Sequence, residues 1–203
     1  MGLRELKAER TRREILDAAL ALYEANGYDA TTMEQIAEAA FVSPSTLYRY
    51  FPTKERTLLG HPVLGRAGLG SMLLERPADE SLPDALGHAL HDFLTDLDAD
   101  RDTLLRVRSQ MDKVPLIRAL VWDSWYQGHA ELEAAVAQRI GDERDSLLVR
   151  VSAGITLMVA QMALDESRRD DAAQPSATEY ADRIMQLLGR GTAPLVTLPA
   201  TSA

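Results

Sequence analysis

The chain has no cysteine, and it has only three phenylalanines and two tryptophans among 203 residues. Without thiols there is no disulfide framework, thiolate nucleophile, Cys-ligated zinc, iron–sulfur cluster or thiol redox switch. An aromatic share of 5%, with the other apolar residues mostly Leu, Ala, Val and Met, disfavours a twisted sheet and favours helices. Bases are scarce as well. The 22 Lys and Arg stand against 31 Asp and Glu, a net charge of −9, which at face value argues against a polyanionic partner. What remains is enough chain for one large domain or two small ones, able to bury a core without staples.

The charge is unevenly spread. Residues 1–60 carry 8 bases and 9 acids, whereas residues 61–203 carry 14 and 22. Arg4, Lys7, Arg10, Arg12 and Arg13 crowd the first thirteen positions, and Arg49, Lys54 and Arg56 form a second basic group. A short, locally basic N-terminal module joined to an acidic body therefore describes the chain better than its average does.

A clean membrane span is also missing. Thr11-Arg12-Arg13 before the run Ile15 to Tyr23 imitates a twin-arginine leader, but Asp17 interrupts the run and Glu24 follows it. Ile15, Ala18, Ala19 and Leu22 instead mark one face of an amphipathic helix. Leu147 to Leu164 is apolar but contains Arg150 and Gln161; it reads as a core helix of a soluble protein, and the expected location is the cytoplasm with no membrane partner.

Punctuation predicts about nine helices and an all-α fold. Asn26-Gly27 stops the first, Thr32 with Gln35 forms a capping box for the second, and Ser43-Pro44 opens a third that ends before Pro52. The fourth starts at Thr53. Gly60-His61-Pro62, Gly65, Gly68 and Gly70 predict a loose connection. Ser81 and Pro83 open the fifth, Asp100 caps the sixth, and the seventh runs from Pro115 to Ile140 and closes at Gly141. The eighth is expected from about Glu143 to Arg168, and Ser176 with Glu179 caps the ninth, Ala177 to Leu188. Residues 190–203 have the composition of a disordered tail.

Function is most legible between Thr31 and Glu55. Ile36, Ala37 and Ala40 face inward on the second helix, as do Leu47, Tyr50 and Phe51 on the third. Ser45, Tyr48 and Arg49 are left facing outward at the same 0, 3, 4 spacing. Two short helices joined by a tight turn, with a polar, basic and aromatic outer face, make a helix-turn-helix whose second helix suits a major groove. The ordered set Gly27-Tyr28, Thr31-Thr32, Ile36-Ala37, Ala40, Val42-Ser43, Thr46-Leu47-Tyr48, Tyr50-Phe51 and Lys54-Glu55 resembles the N-terminal domain of TetR-family transcriptional regulators, over about residues 10–59. The family usually has glycine where this chain has Phe41, so the turn is either not left-handed or is strained.

The resemblance implies a helix-turn-helix domain at 1–59 and a larger helical domain at 60–189 for ligand binding and dimerisation. It implies DNA contacts at Thr32, Ser45, Tyr48 and Lys54. Residue chemistry adds Thr46, able to reach a base edge or phosphate, and Arg49, whose fork suits guanine. Capping alone also accounts for Thr32 and Ser43. Arg10, Arg12 and Arg13 offer backbone or minor-groove contacts.

In the body, the eighth helix is apolar around most of its girth. Leu148, Val151, Ile155, Met158 and Met162 align on one side of it, and Tyr180, Ile184 and Leu188 align on the ninth. The resemblance implies that these two helices form a four-helix homodimer interface; burial inside one monomer is the competing reading. A pocket for an apolar small-molecule effector is sought among His88, Phe93, Met111, Trp122, Trp125 and Tyr126, although such residues often simply build a core. His88 and His91 lack a third ligand, so neither metal nor cofactor is expected.

The reading that follows is a dimeric, ligand-responsive repressor on a pseudo-palindromic operator of double-stranded DNA. Two others compete: a DNA-binding architectural protein with no ligand, and a helical enzyme using His88, His91 and Asp123 beside a vestigial helix-turn-helix. No nucleophile with a neighbouring base supports the last, so no catalytic residue is assigned.

Overall fold

A computed structural model describes residues 2–59, 68–141, 146–168 and 175–190. The described residues form ten α-helices and no strand: α1 (Leu3–Asn26), α2 (Met33–Ala39), α3 (Pro44–Tyr50), α4 (Lys54–Leu58), α5 (Leu69–Glu75), α6 (Leu82–Asp98), α7 (Arg101–Lys113), α8 (Pro115–Ile140), α9 (Leu147–Ser167) and α10 (Ala177–Gly189). The expected tail and the Gly60-His61-Pro62 break lie outside the described residues.

The signals at helix ends act largely as local chemistry requires. Gly27 takes φ 85 and its N–H bonds Tyr23 O at 3.0 Å. Both capping boxes form, Thr32 with Gln35 and Ser176 with Glu179, and Gly141 closes α8 at φ 66. Asp100 occupies the N-cap of α7 without a side-chain cap bond; its carboxylate instead pairs with Arg13 at 3.0 Å. Asp98 accepts from the Ala177 and Thr178 N–H groups at 2.8 and 3.0 Å, so an acid at the end of α6 satisfies the unpaired donors that open α10.

Three expectations need correction. The glycine-rich connection contains α5, with Gly68 as its N-cap and Leu69, Gly70 and Leu73 buried. A Cβ on Gly70 would stand 2.9 Å from the Glu131 carbonyl oxygen, so glycine is there to let α5 lie directly on the α8 backbone. The following long helix starts at Leu147, where the Ser146 hydroxyl caps the Val149 N–H, later than the expected Glu143. That helix, α9, has the length and mean hydropathy of a membrane span, yet it is not enclosed by its own chain. Val149, Ala153, Val159, Ala160 and Ala163 turn inward, while Leu148, Val151, Ile155, Met158 and Met162 remain 43 to 57% exposed.

Two cores result. One gathers Ile15, Leu16, Leu20, Tyr23, Ile36, Leu47, Phe51 and Leu58 from α1 to α4, and it also takes Val107, Met111 and Ile117 from α7 and α8. The other is built from α5 to α10, around Leu73, Leu94, Leu132, Val136 and Val159. Helix α7 serves both, because Leu104 belongs to the second.

Candidate nucleic-acid interface and effector cavity

The turn between α2 and α3 is a left-handed helix stop. Phe41 N–H bonds Glu38 O at 3.1 Å, and Val42 N–H bonds Ala37 O at 2.9 Å, the paired bonds of a Schellman ending. Phe41 takes φ 53 with its ring 97% exposed. Of the two alternatives raised by the sequence, the strained left-handed one is realised. From there Ser43 starts α3, its Oγ accepting from Thr46 N–H at 3.1 Å. Leu47 is fully buried on one side of α3, while Ser45, Tyr48 and Arg49 face solvent on the other.

Hydrogen bonds bias that outer face. The Ser43 hydroxyl touches Ser45 Oγ at 3.0 Å and Thr46 Oγ1 at 2.9 Å. Tyr48 O–H donates to Glu34 at 3.3 Å. Arg49 lies 5.4 Å from the centre of the half-buried Tyr50 ring, and Arg12 lies 5.8 Å from it. The ring thus holds two guanidiniums beside α3 by cation–π attraction. Arg10 pairs with Glu14 at 2.8 Å and Arg13 with Asp100, so of these three arginines Arg12 is the one aligned with the recognition helix.

Lys54 has a structural task. Its ammonium donates to the carbonyls of Tyr28 and Thr31 at 2.8 and 3.0 Å and sits 4.2 Å from the centre of the Tyr28 ring. Tyr28 O–H donates to Glu55 at 3.0 Å. Burial, and then the Glu55 carboxylate, push the Tyr28 phenol above its ordinary value. Glu55 itself is held below the usual carboxylate range by its own backbone N–H and the Thr53 hydroxyl. The two ends of the recognisable segment, Gly27-Tyr28 and Lys54-Glu55, are therefore one latch that fixes α4 against the α1–α2 connection.

Among the described residues the body has at least two concavities. The larger, about 400 Å³, lies among α6, α9 and α10 and is mostly apolar, with Leu86, Leu90, Val151, Ile155 and Met185 among its walls beside His91, Thr178 and Asp182. The smaller, about 210 Å³, lies among α7, α8 and α9 and mixes Met111, Trp122 and Trp125 with three arginines.

The model for "Bacterial regulatory proteins, tetR family" matches residues 15–58, and the model for the MftR C-terminal domain matches residues 80–193. The chain belongs to the TetR family. The transcriptional regulator TcmR of Streptomyces glaucescens is 41% identical over 95 residues, 46% of this chain and 41% of TcmR, so that match spans less than half of the relative. MftR of Mycobacterium tuberculosis is 29% identical over 185 residues, covering 89% of this chain and 90% of that protein. In fold, the chain resembles the Thermus thermophilus TetR-family repressor FadR, solved with lauroyl-CoA. The TM-score is 0.54 at 22% identity, with 95% of this chain and 100% of that one covered.

Against this TetR frame the expected residues divide. Thr32, Ser45, Thr46, Tyr48 and Arg49 lie on or beside the accessible face of the helix-turn-helix, with Thr32 and Thr46 also engaged in caps. Met111, Trp122 and Trp125 line the smaller cavity. His88, Phe93 and Tyr126 do not: His88 is exposed and bonds Glu80 at 2.5 Å, Phe93 is in the second core, and Tyr126 is 76% exposed. Arg108, Arg118 and Arg168 went unnoticed in the sequence because three different helices supply them. Among the described residues no group of three metal-ligating side chains forms.

Proposed function

We propose that this chain is an effector-responsive transcriptional repressor that binds a pseudo-palindromic operator as a homodimer in the cytoplasm, with residues 1–59 as the DNA-binding head and 60–189 as the pairing and sensing body. The observation that carries the reading is the outer face of α3. Arg49 and Ser45 are aimed at base edges, Thr46, Tyr48 and Thr32 at the sugar-phosphate backbone, and Arg12 adds charge beside them. Lys54 acts first by holding the latch, and its third N–H is left for a phosphate. One helix-turn-helix reads few base pairs, so two must be held about 34–36 Å apart. The exposed stripe from Leu148 to Met162 supports pairing across α9 and α10, and the larger apolar groove is continuous with it through Val151 and Ile155. Tyr180, Ile184 and Leu188 are half-buried against their own core, which makes Met185 and Leu187, both about half exposed, the outward partners on α10. The smaller cavity supports effector binding over an architectural role.

A salt titration tests the DNA half. Affinity for the region upstream of the chain's own gene is expected to fall linearly with salt on logarithmic axes; no binding at low salt overturns the reading. Ile155→Glu tests pairing: a charge at the centre of the stripe gives a folded monomer in sedimentation with operator affinity lost. A variant that stays dimeric and bound to operator places the interface elsewhere.

A further inference from the structure

The smaller cavity is where the chain's indoles meet a cluster of guanidiniums. The apolar lining is Leu104, Val107 and Met111 of α7, Leu164 of α9, and Trp122 and Trp125 of α8. The charged lining is mainly cationic. Arg108 comes from α7, Arg118 from α8 and Arg168 from the C-cap of α9, against Asp112 and Asp165. The balance is one positive charge in excess.

The two carboxylates do not neutralise the three cations evenly. Asp112 holds Arg108 at 3.2 Å, and its main-chain carbonyl accepts from Arg118 at 3.1 Å. Asp165 reaches Arg168 only at 4.0 Å, and among the described residues it is the sole ion-pair partner Arg168 has. The Arg168 side chain is 21% exposed. Burial, and then the neighbouring Arg108 charge, lower its guanidinium from the ordinary value. Arginine nonetheless stays charged in proteins, so a poorly paired cation is kept here at a cost that an entering anion would relieve.

The shape narrows the anion. A guanidinium fork matches the two oxygens of a carboxylate, and indole faces with a thioether suit a ring or a branched chain. A volume of about 210 Å³ is below the ~300–1,000 Å³ of sites for drug-sized ligands, which leaves room for one ring or a short chain. We propose that this cavity binds a small apolar monocarboxylate, its body against Trp122 and Trp125 and its carboxylate on Arg168 with Arg108 and Arg118 nearby. This deepens the effector reading and rests on that reading for its regulatory meaning.

The chain's two tryptophans both line the cavity, so their emission reports its occupancy. The full chain would be titrated with phenylacetate, cyclohexylacetate and octanoate, each paired with its uncharged carboxamide. At least one acid is expected to shift the emission with a Kd about tenfold or more below that of its amide. Arg168→Gln is expected to erase the preference and Arg108→Gln to reduce it, with the native emission of the free protein retained. Should Arg168→Gln fail to fold, Arg108→Gln and Arg118→Gln decide the point. No response to any acid at ~1 mM, equal affinity for acid and amide, or an unchanged preference in the folded variants overturns the assignment. Operator release is measured separately. An acid that binds without releasing DNA sinks the effector reading and leaves the cavity assignment standing, whereas release by a neutral compound alone does the reverse.

Discussion

Phe41 has a left-handed backbone at φ 53 and a ring 97% exposed, so the turn bears the steric cost of a Cβ while the ring gains no packing from its own chain. That cost is about 1–2 kcal/mol for an L-residue, partly offset in a glycine variant by the larger entropy of the unfolded chain, about 0.5–1 kcal/mol. Phe41→Gly is therefore expected to stabilise the protein by up to about 1 kcal/mol in urea unfolding; a loss of stability would mean that the ring makes contacts the turn depends on. Tyr23 shows the reverse economy. Its hydroxyl is buried 2.8 Å from Thr57 Oγ1, and burial pushes its phenol up to about 12. The folded state keeps this proton after the unfolded chain has lost it. The stabilising contribution is thus complete below the ordinary value of about 10 and is lost as pH rises from there through about 12, with Tyr28 adding a shift of the same sign. Tyr23→Phe should cost about 1 kcal/mol at neutral pH and flatten the fall in stability between pH ~10 and ~12. An unchanged alkaline slope would assign the titration to the other raised phenols, Tyr28 and Tyr48.

Among the elements, helix ends were largely legible because their causes are local: the boxes Thr32/Gln35 and Ser176/Glu179, the Ser43-Pro44 start and the Gly141 stop each need only a few neighbouring residues. Helix α5 was not legible, because the reason for Gly70 lies on another helix. A Cβ there would fall 2.9 Å from Glu131 O, 3.0 Å from Glu131 C and 3.3 Å from Leu132 N, all main-chain atoms that cannot rotate away. Gly128, inside α8, has nothing within 4 Å of such a Cβ. The same substitution should then have opposite signs. Gly128→Ala is expected to stabilise by roughly 0.5–1 kcal/mol through helix propensity, and Gly70→Ala to destabilise by about 1–3 kcal/mol through overpacking, both read from denaturant midpoints at constant slope. Equal effects would deny that α5 rests on the α8 backbone. The site divides along the same line. The outer face of α3 follows from helical periodicity within one short stretch, whereas the cavity's arginines at 108, 118 and 168 share no local pattern.

For the whole molecule, the total charge of −9 says less than the route by which head and body touch. Helix α7 supplies Val107 and Met111 to the core of α1 to α4, supplies Leu104 to the body's core, and walls the smaller cavity with all three. Arg106 on the same helix grips Glu24 of α1 through two bonds of 2.7 and 2.8 Å, with Asp17 at 3.9 Å. The Glu24 carboxyl is accordingly held below its ordinary value, first by the Arg106 hydrogen bond. An occupant that shifts α7 must either carry α1 with it or break this grip, and moving α1 re-aims α3. Both partners are more than a third exposed, so the pair contributes only on the order of 1 kcal/mol. Energies of that size set allosteric factors, since about 1 kcal/mol is roughly fivefold in coupling. Arg106→Ala is expected to leave the tryptophan-detected affinity for a carboxylate probe near that of the parent when DNA is absent, while reducing by about threefold to tenfold the factor by which that probe weakens operator binding. Reciprocity demands the same reduction in the factor by which operator DNA weakens the probe. If both factors keep their parent values, the signal reaches α3 through the remaining contacts between head and body, the apolar packing of Val107, Met111 and Ile117 and the Arg13–Asp100 pair, and the Arg106–Glu24 pair is only an anchor.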